Sequence, residues 1–173
     1  DIAEYATYQN AEIFMANVDW PGNNMKFWRE KGEKGKWRWI VFDIDAGLAA
    51  WEDDGFDATY NTLDIATKPD GPSATEWGTE DTWPNPPWST FLLRSLLENK
   101  EFENLFIATL CDLMATNFKP GNSKPWVDAR ADLVVNEIGN HENRWDASGS
   151  WYIEENKKTA KRFLENRGEQ IIE

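Results

Sequence analysis

The chain has one cysteine, Cys111, and one histidine, His141. A single cysteine excludes an internal disulfide, and the two residues together are too few for a Cys/His zinc cluster. No apolar run approaches the ~18 residues that a membrane-spanning helix requires. Positive charge is also scarce. Eighteen Lys and Arg stand against 31 Asp and Glu, giving a net charge of −13 over 173 residues. Such a chain lacks the basic face that nucleic acid requires, and it favours cations or basic partners. Internal repeats and low-complexity tracts are absent as well.

Tryptophan is present in excess, with eleven copies. Hydrophobic residues make up 40%, which excludes wholesale disorder, and this length suits one domain with a real core. Tryptophan must therefore fill that core or line a site. The core is the expected place for Trp37, Trp39, Trp126 and Trp151, and the surface for Trp77 and Trp83. The opening Asp1-Ile2-Ala3-Glu4-Tyr5 has no Met and reads as the inside of a helix, so a piece of a longer protein is expected.

Residues 2–16 carry Ile2, Tyr5, Ala6, Ile13 and Phe14 without Gly or Pro, which predicts a helix stopped at Pro21-Gly22. Two short aromatic runs, Met25 to Arg29 and Trp37 to Phe42, flank the charged connector 30–35 and predict a β-hairpin. Its second strand, with Ile40-Val41-Phe42, reads as buried. Residues 46–87 are rich in Asp, Gly, Pro, Ser and Thr and read as a surface excursion, in which Glu52-Asp53-Asp54 forms a solvated face. Helices are then predicted from a Ser89 cap to Asn99, over 101–116, from Pro125 to about Ile138, and from Trp151 to Asn166. His141, Arg144 and Trp145 are expected to pack a helix end against the core, and Cys111 to be inert within an apolar stretch.

The chemistry-bearing residues cluster around the hairpin. Asp19 follows the first helix, Asn24 comes five residues later at the mouth of a strand, and Asp43 and Asp45 sit at the end of the next strand. Helix, Asp-x-x-x-x-Asn, hairpin, Asp is the order of the phosphoryl-transfer machinery of protein kinases. Mg²⁺ requires hard oxygen ligands, and an acceptor hydroxyl requires a carboxylate within hydrogen-bond reach. On spacing alone, turn chemistry around Pro21-Gly22 is the more ordinary account of Asp19 and Asn24, and a polar strand end accounts for Asp43 and Asp45. A calcium loop beginning at Asp43 fails because Leu48 stands where Gly is needed.

The stretch Asn17-Val18-Asp19-Trp20-Pro21-Gly22-Asn23-Asn24-Met25-Lys26-Phe27-Trp28-Arg29 resembles the signature of the spore-coat protein H (CotH) kinase family. So do Gly35-Lys36-Trp37-Arg38-Trp39-Ile40-Val41-Phe42-Asp43-Ile44-Asp45, Pro86-Pro87-Trp88-Ser89-Thr90, Leu96-Leu97-Glu98-Asn99 with Glu101-Phe102, and His141-x-x-Arg144-Trp145. The resemblance covers nearly the whole chain. It implies an α+β, mainly helical fold, the C-terminal lobe of a protein-kinase-like domain with one hairpin, as a single domain over 1–173. It also implies Mg²⁺- and ATP-dependent phosphorylation of Ser or Thr in secreted or coat proteins. Asp19 is then the catalytic carboxylate, Asn24 and Asp43 bind the metal–nucleotide complex, and Asp45 is a second candidate metal ligand. Asn17-Val18 stands where kinases have His-Arg, and Ile44-Asp45 where they have Phe-Gly.

A small lobe carrying the nucleotide-binding Lys has no room before Asp19, so a fragment inactive alone is expected, with the missing lobe as its partner. The remaining expectations are a Ser/Thr-containing protein substrate, with a basic one favoured by the chain's charge, no nucleic acid, no membrane span, and an extracellular or spore-surface location. Two other functions fit the composition. One is a non-catalytic carbohydrate- or protein-binding module of a secreted protein, and the other is a glycosidase using Asp19 and Asp43.

Overall fold

The computed structural model describes residues 1–69, 86–145 and 150–172. The fold is mainly helical, with one two-stranded antiparallel sheet. Helix α1 (Ile2–Met15) is capped by Asp1, whose side chain accepts from the Glu4 amide. Strands β1 (Lys26–Trp28) and β2 (Arg38–Ile40) pair with Lys26 opposite Ile40, Phe27 opposite Trp39 and Trp28 opposite Arg38. Then follow α2 (Thr62–Thr67), α3 (Phe91–Leu97), α4 (Lys100–Ala115), α5 (Pro120–Val134), α6 (Ile138–Trp145) and α7 (Ser150–Gln170).

Helix α1 is central because three of its faces are covered. Tyr5, Ala6, Tyr8 and Ile13 meet Ala66 of α2, Leu93 of α3, and Phe102 and Phe106 of α4, with Trp20 buried among them. Asn10 is fully buried and donates to the carbonyl of Phe106 at 3.0 Å, tying α1 to α4. At the other end of α1, Phe14 and Ala16 pack with Ala49, Ala58, Phe163 and Leu164, and Phe14 stacks on Phe118 at 4.1 Å.

The last turn of an isolated helix leaves four carbonyls without partners. Here all four of α1 are occupied, one by the chain's own turn and three by distant segments. The Asn17 amide donates to Glu12 and the Leu48 amide donates to Met15. Arg167 of α7 donates from Nε to Phe14 at 3.0 Å and from Nη2 to Ile13 at 2.9 Å, and Thr62 Oγ1 also donates to Ile13. Arg167 Nη1 serves the carbonyls of Ala58 and Tyr60 at 2.8 Å each. Burial lowers its pKa to about 10, so the guanidinium remains charged at neutral pH, where it suits the negative end of a helix.

Several expectations change. The hairpin is shorter than its apolar runs, and Ile40, Val41 and Phe42 are exposed because nothing in the described chain covers that face. Helix α5 starts at Pro120, not at Pro125: proline fits a first helical position, where its missing N–H costs no bond. Ser89 does not cap α3. Its hydroxyl donates to Pro86, and Thr90 stands at the helix start without a side-chain cap. The excursion after residue 46 carries α2, whose Ile65 and Ala66 are core residues. Glu52 is paired with Arg162 of α7 rather than simply solvated.

Helices α5 and α6 are largely exposed, with Trp126, Leu133, Val134 and Trp145 facing out. The sequence pattern marked an apolar stripe there without marking what covers it. Trp37 is likewise half-exposed, whereas Trp39 packs on the core. His141 and Arg144 are exposed rather than packed, and Arg144 lies over the Trp145 ring at 5.1 Å. Cys111 is exposed on α4. Trp77, Trp83 and the side chain of Trp151 lie outside the described residues.

Candidate active site

The backbone around the hairpin departs from ordinary helix and strand at five non-glycine residues with positive φ: Ala16, Asn24, Asp43, Leu48 and Ala49. Asn and Asp tolerate this left-handed region better than most residues, and such conformations concentrate where a fold holds a site in place. The two flanking loops are joined to each other. The Val18 amide donates to Ala46, and the Leu48 amide donates to Met15. A Cβ on Gly47 would come within 3.1 Å of the Met15 carbonyl, so this close approach of loop to helix end requires glycine.

Within this frame Asn24 joins the other two candidates. Its Nδ2 donates to Oδ2 of Asp19 at 2.8 Å and to the backbone carbonyl of Asp43 at 3.3 Å. Asn23 Nδ2 donates to the same Asp19 oxygen at 2.8 Å. Two consequences follow. Asp19 keeps Oδ1 for another donor, and Asn24, its amide hydrogens already engaged, can offer a cation only its hard oxygen Oδ1. Asp43 and Asp45 are exposed on the same loop as the Asp43 carbonyl. Among the described residues no three Asp, Glu, His or Cys side chains are gathered to hold a metal ion, but the residue types here, one amide oxygen and two carboxylates, are those Mg²⁺ takes alongside phosphate and water.

Asp19 is held from below. Trp20, next to it in sequence, is 1% exposed and among the largest buried side chains. The Asp19 amide donates to Oδ1 of Asn17 at 3.3 Å, and Asn17 Nδ2 donates in turn to Oε2 of Glu12 at 2.9 Å. Glu12 and Asn17 are both fully buried. Burial pushes the Glu12 pKa up to about 7, and the Asn17 hydrogen bond offsets part of that shift.

A family model described as CotH kinase protein matches residues 1–171. The chain belongs to the CotH kinase family. No curated protein and no solved structure matches it. Kinase chemistry is therefore the frame for this CotH-family site, and ATP with a metal ion is what such chemistry uses in general. No helix among the described residues is long and apolar enough to cross a membrane.

The hairpin presents one face next to this site. Opposed residues of an antiparallel pair share a face, and faces alternate along each strand. Lys26, Trp28, Arg38 and Ile40 therefore project together, with Phe42 continuing their side. The contacts agree: Lys26 Nζ lies 3.2 Å from the centre of the Phe42 ring, and Arg38 lies over Trp28 at 5.6 Å. The other face turns to α1, where Tyr5 meets Trp39 edge-on at 4.5 Å. The Glu4 carboxylate of α1 accepts the Trp39 amide through both oxygens, at 3.1 and 3.2 Å.

Sequence reasoning missed Glu12 and Arg167. A usable signal existed in both cases: each is a charged residue at apolar-face spacing, Glu12 four after Tyr8 and Arg167 four after Phe163.

Proposed function

We propose that this chain is the C-terminal lobe of a Mg²⁺- and ATP-dependent protein kinase that phosphorylates Ser or Thr of secreted or coat proteins. The observation that carries the reading is the Asn24 amide spanning the Asp19 carboxylate and the Asp43 backbone at the open end of the hairpin. Asp19 is the catalytic residue. With Oδ2 occupied by Asn23 and Asn24, Oδ1 accepts the hydroxyl proton of the acceptor as its oxygen attacks the γ-phosphorus and the bond from that phosphorus to the β–γ bridging oxygen breaks, releasing ADP. Asn24, Asp43 and Asp45 are the metal-binding set, and Mg²⁺ held there supplies charge neutralisation on the phosphates.

The exposed hairpin face supports a nucleotide nearby. It combines the apolar surfaces of Trp28, Ile40 and Phe42 with the cations Lys26 and Arg38, a pairing suited to an aromatic, anionic ligand. A second lobe would close over this face and supply the remaining phosphate contacts. The excess negative charge of the rest of the chain favours a basic protein substrate.

The test is phosphoryl transfer by the full-length protein, with radiolabelled ATP and a Ser-rich basic peptide, against the isolated fragment. Transfer by the full-length protein, lost with chelation and with Asp19→Ala, supports the reading. Robust turnover by residues 1–173 alone would show that the nucleotide site is complete here, and full activity of Asp19→Ala would remove the mechanism.

A further inference from the structure

Glu12 is an expensive residue for α1. It is fully buried, its Oε1 has no hydrogen-bond partner among the described residues, and its only side-chain partner is Asn17. A buried carboxyl with one hydrogen bond costs more than an apolar side chain of similar size. Tyr8, one turn earlier on the same face, and the adjoining Ile13 are core residues, so packing alone would place a leucine or methionine there. Among the described residues no cation is paired with it, and the buried guanidinium of α7 directs its donors to carbonyls and to Thr62.

What the carboxyl does is orient an amide. The two ends of an Asn side chain are nearly isosteric, and only their partners decide which end points where. The acceptor Oε2 of Glu12 selects the NH₂ end of Asn17, which turns Oδ1 toward the Asp19 amide. Glu12 is seven residues from Asp19 and touches neither it nor any candidate metal ligand, yet it determines what the backbone of Asp19 can bond to.

We infer that Glu12 is a positioning residue for phosphoryl transfer, acting through the Asn17 amide to fix the backbone of Asp19. The kinetic side of this inference rests on the kinase reading, whereas its backbone side does not. A carboxylate that must meet an incoming hydroxyl at hydrogen-bond distance tolerates little displacement, and an ångström of misplacement costs up to about 100-fold in rate.

The experiment uses Glu12→Leu and Glu12→Gln in the full-length protein. It reads amide hydrogen exchange at Asp19 and at α1 core positions, and kcat and KM for ATP. Glu12→Leu is expected to speed exchange at the Asp19 amide by about tenfold or more, without speeding exchange at α1 core amides such as Ile13, and to lower kcat by about 10- to 100-fold at constant KM. Glu12→Gln keeps an acceptor oxygen for Asn17 and is expected to restore both to within about threefold. If Glu12→Leu does not fold, Asn17→Leu cuts the same chain at its second link and must give the same pattern. An Asp19 amide unprotected in the wild type, or a Leu variant with wild-type Asp19 exchange, overturns the inference. So does faster exchange spread evenly along α1 with kcat per folded molecule unchanged, which is the mark of a purely structural role. If the wild type transfers no phosphoryl group, the kinase reading fails on its own and the exchange data still decide the Glu12–Asn17–Asp19 link.

Discussion

Arg167 donates through Nη2 to the carbonyl oxygen of Ile13 at 2.9 Å, across 154 positions of sequence. The contact joins the last helix to the end of the first, four residues before the loop that carries Asp19. Removing the guanidinium would strand the carbonyls of Phe14 and Ala58, whereas Ile13 keeps the Thr62 hydroxyl and Tyr60 keeps the Thr62 amide. Arg167→Met is expected to lower unfolding free energy by about 3–5 kcal/mol in urea denaturation, on the scale of breaking a buried charged network. Arg167→Lys should recover only a fraction, because an ammonium cannot reach carbonyls on three sides at once. Wild-type stability in the Lys variant would contradict the capping role.

The two carboxylates of the site should separate by phenotype. In the full-length protein, Asp19→Ala is expected to lower phosphoryl transfer by about 10²- to 10⁴-fold while Mg²⁺-ATP binding persists. Asp43→Ala should weaken Mg²⁺-ATP binding itself, as read by calorimetry. Normal binding in that variant would move the ligand role to Asp45.

Stability should depend on pH through Glu12. In the folded chain it holds its proton up to about pH 7, whereas an unfolded chain releases it near the ordinary value of 4.5. Between those values the folded state binds more protons, so stability falls as pH rises, by roughly 3 kcal/mol in total. Hydrogen bonds from Thr59 hold the mostly exposed Asp57 below its usual range, an effect in the opposite sense confined to more acidic pH. Urea midpoints of wild type and Glu12→Gln, compared at pH 5 and pH 8, check this. The difference between the two proteins should change in the variant's favour at pH 8, and a constant difference would place the Glu12 titration elsewhere.

Trp28 and Phe42 are exposed, at 43% and 38%, so their loss should leave the fold intact. Trp28→Ser with Phe42→Ser is expected to weaken nucleotide binding by about tenfold or more through lost apolar contact, with little change in melting temperature. Unchanged nucleotide affinity would move the base away from this face.

Much of this was legible beforehand, for identifiable reasons. Helices α1 and α4 carry uninterrupted spacing and clear side-chain caps at Asp1 and Asn99, so their limits fall within a residue or two of expectation. The order of Asp19, Asn24 and Asp43 about a hairpin is a one-dimensional pattern, and antiparallel pairing alone brings Asn24 and Asp43 to the same end. What the pattern did not carry is coverage. Trp126 and Ile40 have the spacing of core residues and are exposed, because periodicity identifies an apolar face and says nothing of its neighbour. Nor did it carry the supports. The Glu12 and Arg167 partnerships span loops and distant helices, and only the folded chain brings them together.

The hairpin has consequences for how the site comes apart. A two-stranded ribbon with three residues per strand and one face uncovered is marginal by itself, and here it is held to the start of α1 by the Trp39 contact, the Glu4 carboxylate, the N-terminal amine on the Trp37 carbonyl and the Arg38–Asp1 ion pair. Asp19 stands on the other kind of ground, beside the buried Trp20 and at the end of the best-packed helix. The molecule is thus divided into a densely packed part and an exposed ribbon with few buried contacts, and low local burial is the physical condition for local opening. Asn24 and Asp43 ride on the second part and Asp19 on the first. Any ligand that bridges them must freeze the hairpin as it binds, so its affinity carries the cost of ordering that ribbon, and whatever covers the ribbon's open face tightens ligand binding without touching the ligand.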